Sequence, residues 1–247
     1  MVLSRTTEVT QSALLCAFRQ VGLTDPHPMF GSGTVHVPEP LAGGLDAEAR
    51  SELSRLGLLD RGRVSDELED AVYALAQPEA EYLARVVNQG EEYTAFVGVR
   101  GRAVVSAVRF GERVLVTAES DRQSPAAALV AKLPPYRPAQ LARISLPQDE
   151  FRGSGGYLPD DRSRAARAVD ALLEASSFGF GEINVSVRGS GRERRVADGV
   201  LLYRDLVEGR VAFDVSGAER NRYIEVMPGA DQTMTRQVAA LRASLDG

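Results

Sequence analysis

Between Tyr93 and Ala118 the chain carries three short apolar runs, 93–99, 103–110 and 113–118, broken at Arg100-Gly101 and Gly111-Glu112. Glycine in a two-residue connection supplies the positive φ that right-twisted hairpin turns require, so the runs predict an antiparallel meander. Val104 and Val108 lie on one face of its central strand, and Val105 and Ala107 on the other. A strand apolar on both faces predicts a sheet covered on both sides. The cover must come from helices.

Helical stripes stand on either side of the meander. Residues 10–21 place Ala13, Leu14, Ala17, Phe18 and Val21 on one face, and Gly22 stops them. Residues 24–44, rich in Pro and Gly, predict a loop with one short strand at 34–37. Asp46 is the expected cap of a helix with Ala49, Leu53 and Leu56 inward, ended by Gly57. Ser65 caps the next, with Leu68, Val72 and Leu75 inward before Pro78, and Ser124-Pro125 opens a further one reaching Leu133. Later stripes are Ala165, Val169, Leu172 and Leu173 within 161–176, and Met234, Val238, Leu241 and Leu245 at the end. Further strands are expected at 2–8, 79–88, 141–146, 180–188, 194–204, 207–215 and 222–227.

Pro134, Pro135 and Pro138 form a stiff connector, and the order of elements before it recurs after it. The expected fold class is α+β: a central, mostly antiparallel sheet flanked by helical bundles, with two quasi-symmetric halves, 1–135 and 136–247, in a single domain.

Composition narrows the function. The 247 residues are 44% hydrophobic and 26% charged, which is ordinary for a globular chain. A formal net charge of −5 argues against a generic nucleic-acid binder, which needs a basic face to displace counterions. The single cysteine, Cys16, excludes an internal disulfide and lies on an apolar helix face, where an inert buried thiol is the default. No apolar run approaches the roughly 18 residues needed to span a membrane, and no signal peptide opens the chain, so a cytoplasmic protein is expected.

Candidate chemistry is sparse. His27 and His36 share a loop but show no metal-ligand spacing, so solvated histidines are expected. The glycine-rich pieces Gly31-Ser32-Gly33, Gly153-Ser154-Gly155-Gly156 and Gly189-Ser190-Gly191 match neither a P-loop nor a dinucleotide fingerprint. Arg188, Arg192, Arg194 and Arg195 are the densest basic group, read as the solvated end of a hairpin. Phe178-Gly179-Phe180-Gly181 could line an apolar groove or pack into the core. No acid, base and nucleophile converge, so no catalytic residue, metal or cofactor is assigned. The alternative to a binding protein is an enzyme or small-ligand binder using the loop at Gly153 to Gly156.

The run from Leu53 to Glu79 carries a pattern: Leu-Ser-Arg-Leu-Gly-Leu-Leu-Asp-Arg-Gly-Arg-Val, then a helix with Leu68 and Leu75, then Ala76-Gln77-Pro78-Glu79. With Glu208-Gly209-Arg210, the run Tyr223-Ile224-Glu225-Val226-Met227-Pro228-Gly229-Ala230-Asp231 and the opening Leu3-Ser4-Arg5 and Gly22-Leu23, it resembles the EspG family. These are the cytosolic chaperones of type VII (ESX) secretion in actinobacteria. Val211 and Tyr223 stand where the family usually has Tyr and often has Trp. The resemblance implies the same central sheet with quasi-twofold halves. It also implies a PE–PPE-like heterodimer as partner, gripped at the exposed apolar tip of the PPE bundle and kept soluble. Covering such a tip is a purpose that needs no catalysis. The family meets its partner through the loop between the second and third strands and through the C-terminal helical region. That places recognition here at Asn88, Gln89, Gly90, Glu91 and Glu92, and at Ser176, Phe178 and Phe180. A monomer or weak homodimer, with no nucleic-acid or membrane partner, completes the expectation.

Overall fold

The computed structural model describes residues 6–24, 26–31, 39–152, 162–189, 193–217 and 222–246, with backbone alone at 39–43 and 152. The architecture is α+β, with antiparallel strand pairing and seven α-helices among the described residues. The chain forms two compact units. The first comprises Met1–Leu83, Tyr93–Lys132 and Val187–Arg194; the second comprises Ala84–Glu92, Leu133–Ser186 and Arg195–Gly247.

In the first unit, β1 (Thr7–Thr10) leads into α1 (Gln11–Gln20), a 3-10 turn (Pro28–Phe30) and α2 (Glu39–Arg55). A two-stranded ribbon, β2 (Leu59–Asp60) and β3 (Arg63–Val64), precedes α3 (Asp66–Ala76). Then come β4 (Ala80–Asn88), β5 (Glu91–Arg100), β6 (Ala103–Phe110), β7 (Arg113–Ala118) and α4 (Pro125–Val130). The strand order is β1-β7-β6-β5-β4. The predicted caps Ser65 and Ser124 accept hydrogen bonds from the amides of Leu68 and Ala127, and Thr10 accepts likewise from Ala13, satisfying first-turn donors that the helix itself cannot.

The meander is buried on both faces, as its pattern predicts. Phe96, Val105, Ala107, Val114 and Val116 join α1 and α3 in one core. At Gly98 the backbone of α3 comes so near that a Cβ would fall inside contact distance of the Ala74 carbonyl. On the opposite face Ser106 donates to Glu119 at 2.5 Å, Lys132 pairs with Glu119 at 2.8 Å, and Tyr93 donates to the Lys132 carbonyl. These contacts bring in the end of α4.

The second unit holds β8 (Ile144–Pro147), α5 (Gln148–Arg152), α6 (Arg164–Glu174), β9 (Ser177–Arg188), β10 (Arg194–Val196), β11 (Val200–Leu206), β12 (Gly209–Ser216), β13 (Tyr223–Pro228) and α7 (Asp231–Ala243). Its order is β9-β11-β12-β13-β8. In both units the last strand pairs antiparallel with the first, β7 with β1 and β13 with β8, and a helix follows. The recurrence expected from element order is therefore real at the level of strand order. Ala166 and Val169 of α6 pack on Leu146, Phe213, Ile224 and Val226.

Several expectations change. Asp46 does not cap a helix: α2 begins at Glu39, so 39–44 is helical and not loop. Pro40 is tolerated there because first-turn amides lack intrahelical partners anyway. Asp46 instead pairs with Arg19 of α1 at 2.5 Å. In α6 the buried position is Ala166, not Ala165, and the helix starts at Arg164. The run 194–204 splits into β10 and β11. The proposed strand at 34–37 lies outside the described residues, as do Val2 to Arg5 of the expected first strand.

Candidate partner-binding surface

The start of β9 reads Phe178-Gly179-Phe180-Gly181, and strand alternation sends the aromatics to one face and the glycines to the other. Phe178 and Phe180 are 53% and 50% exposed. Core packing is thus not their role. The glycine face is crowded instead: a Cβ on Gly179 would lie 2.9 Å from the Val87 carbonyl oxygen, and one on Gly181 would meet the Tyr203 ring. Tyr203 lies beneath Arg210, whose guanidinium carbon is 4.4 Å from the ring centroid.

Arg210 anchors this layer. It is buried, donates to both oxygens of the equally buried Asp205 at 2.6 and 2.8 Å, and donates to the Pro134 carbonyl at 2.7 Å. Burial opposes its charge, but the Asp205 hydrogen bonds and charge outweigh that and hold its pKa above the ordinary value. Gly229 leaves the room that the Arg210 side chain fills.

On the aromatic face Arg204, directly opposite Phe180, donates to the Leu173 and Ala175 carbonyls at the end of α6 and to the Ser177 hydroxyl. A cation at a helix C-terminus satisfies orphan carbonyls and the helix dipole together. It fixes where the chain leaves α6, and hence where exposed Ser176 and Phe178 stand. The core under α6 draws its strand residues from β8, β11, β12 and β13. None comes from β9, so its aromatics stay bare.

The β4–β5 connection is a two-residue turn, with Gln89 at φ 51 and Gly90 at φ 85. The Gln89 amide donates to the Phe178 carbonyl at 2.8 Å. Asn88, Gln89 and Phe178 thereby line one concavity of about 400 Å³ with Pro134, Pro135 and Tyr136. Tyr136 is pinned by its hydroxyl, which donates to the Leu206 carbonyl at 2.8 Å. Glu91 and Glu92 are the first two residues of β5, exposed, and not a loop tip. Sequence reasoning read the Pro-Pro-Tyr segment as a connector only. The run of two prolines before an aromatic was the available signal.

Other candidates fall differently. His27 is buried rather than solvated: it packs on Phe96 at 4.9 Å between ring centroids, its Nδ1 accepts from the Met29 amide, and its Nε2 lies 3.9 Å from Glu81. The arginine group divides: Arg194 and Arg195 are exposed on β10, which pairs with β9 as the expected hairpin does, while Arg188 is half-buried. Arg194 pairs with the buried Glu81, and Arg195 donates to the Leu245 carbonyl. His36, Arg192 and the loop from Gly153 to Gly156 lie outside the described residues, as do Ser32-Gly33 and Ser190-Gly191. Among the described residues no three His, Cys, Asp or Glu converge as metal ligands, and no helix is long and apolar enough to cross a membrane.

The geometry defines a class: an α+β protein whose candidate site is a shallow aromatic strand end beside a tight turn. The chain belongs to the EspG family, whose model matches residues 10–240. Its structure is similar to that of the Mycobacterium tuberculosis type VII secretion system chaperone EspG5, solved in complex with a PE25–PPE41 dimer. The TM-score is 0.72 at 17% identity, covering 97% of this chain and 96% of that one. At that identity the likeness shows the fold. Sequence comparison with curated proteins found no match.

Proposed function

We propose that this chain is a cytoplasmic, noncatalytic chaperone of type VII secretion that holds a PE–PPE-like heterodimer by the apolar tip of its PPE subunit. It acts as a single domain and as a monomer or weak homodimer. The carrying observation is the pair Phe178 and Phe180, half-exposed on one face of β9, beside the turn at Asn88, Gln89 and Gly90. Two aromatics ordered by a strand contribute apolar area with little entropy left to lose, which suits an interface centre. The concavity next to them is walled by Pro134, Pro135, Tyr136 and Phe178 with Asn88 and Gln89, and it fits a protruding apolar side chain. Glu91 and Glu92 form a polar rim.

The test is calorimetric titration of a purified PE–PPE heterodimer into the F178S/F180S variant. Affinity is expected to fall at least about tenfold, as for interface anchors. The melting temperature should stay within about 2 °C, because substitutions at exposed positions rarely change stability. Unchanged affinity in a folded variant would remove this strand end from the interface.

A further inference from the structure

Beside the start of β4, the first unit has a cavity of about 470 Å³, whose walls include Leu23, Thr24, Pro78, Glu79, Arg100 and Arg188. The Arg188 amide donates to the Glu79 carbonyl at 2.9 Å, which seats its side chain at the cavity wall. The Arg188 Nε is buried and has no hydrogen-bond partner among the described residues. Arg100 is steadied by the Tyr73 ring, 5.3 Å away, and by donating to the Gln77 carbonyl at 3.1 Å. Neither arginine forms an ion pair with a described carboxylate. Glu79 is turned to the Gly101 amide, from which it accepts at 3.1 Å.

We propose that this cavity is a second binding site, which takes a carboxylate borne on a short apolar skeleton, of the size of a peptide C-terminus. A buried guanidinium N–H without an acceptor is unfavourable, and a carboxylate oxygen supplies the acceptor with matching charge. Among the described lining residues, two guanidinium charges against the Glu79 carboxylate leave one positive charge uncancelled, which matches a monoanion. A phosphate dianion is over-charged for it, and the net charge of −5 repels a dianion further. Leu23 and Pro78 supply an apolar wall, and the volume exceeds what a bare ion occupies. The recurrence of the fold supports the assignment. In the second unit the concavity at the corresponding place, where the Phe178 carbonyl accepts from Gln89 as that of Glu79 does from Arg188, is lined by two prolines, two aromatics and the uncharged Asn88 and Gln89. Among the described residues, arginines line the site in the first unit and not in the second. The proposal does not depend on the partner reading above.

The experiment is an amide NMR titration of the full chain in low-chloride buffer with three probes: N-acetyl-Ala-Leu as the free acid, the same dipeptide as its C-terminal amide, and inorganic phosphate. The acid should shift the Gly101 and Gly189 amides saturably in the millimolar range, and the C-terminal amide should bind at least tenfold more weakly. R188Q and R100Q should each weaken the acid at least fivefold, with R188K in between. Arg100 is exposed, so R100Q keeps the test valid should R188Q fail to fold. Equal binding of acid and amide, tighter binding of phosphate than of acid, or unaltered binding in R100Q would each overturn the assignment.

Discussion

Single residues of the second unit show both a compensated and an uncompensated burial of charge. Asp205 and Arg210 form a buried pair in which Nε and Nη2 of the guanidinium are answered, and removing one partner leaves a bare charge in a buried layer. Such a loss costs roughly 3–5 kcal/mol, so R210L should unfold at clearly lower urea concentration than the parent chain. Replacement of both residues by apolar ones should recover much of the loss; equal destabilisation by the single and double variants would contradict this account. Asp214 illustrates the opposite case. Burial first, and nearby Glu225, push its pKa above the ordinary 3.8, against the lowering effects of the Ser216 hydroxyl and Arg143. The folded chain therefore binds this proton more readily than the unfolded chain does. The penalty is full above the folded-state pKa and vanishes as pH falls below 3.8. D214N should accordingly be more stable than the parent at pH 7, with the difference closing towards pH 3.5. Urea titrations at the two pH values check the sign.

Elements show how local rules and packing divide the work. β5 is held against α3 through Gly98, where the Ala74 carbonyl leaves no room for a methyl group. G98A should destabilise by roughly 1–3 kcal/mol, the usual range for overpacking, and a thermal melt will read it. At the other end of the same strand Glu91 and Glu92 are exposed and follow the Gln89-Gly90 turn directly. Reversing both to Arg should slow association with a PE–PPE heterodimer and weaken binding by roughly 1–3 kcal/mol, with little change in melting temperature. Full affinity in the reversed variant would mean that recognition lies away from this turn. Helices α1, α3 and α4 were legible to within a few residues because their caps and stripes are local. The start of α2 was not: Pro40, Gly43 and Gly44 read as loop, and packing on α1 overrides that preference.

At the scale of the molecule, β4 and β9 each give residues to both compact units. Neither unit can then unravel without dismantling a strand of the other, so we expect one cooperative transition, with calorimetric and van't Hoff enthalpies equal. Two resolved transitions would show separate domains. The sequence by itself determined the α+β class, the meander, most caps and the repeated order of elements, because periodicity and turn chemistry act over a few residues. It also held the family pattern. What it left open was which faces the helices reach. Phe178 and Phe180 carry the same alternation as a buried strand, and only the core of α6, built without β9, leaves them bare. His27 shows the converse, a loop residue by sequence that Phe96 and Glu81 enclose. Arg188 was one of a basic group until tertiary structure set it beside Arg100, 88 positions away, in one cavity. Burial is a property of what arrives from distant sequence, and no local pattern encodes it.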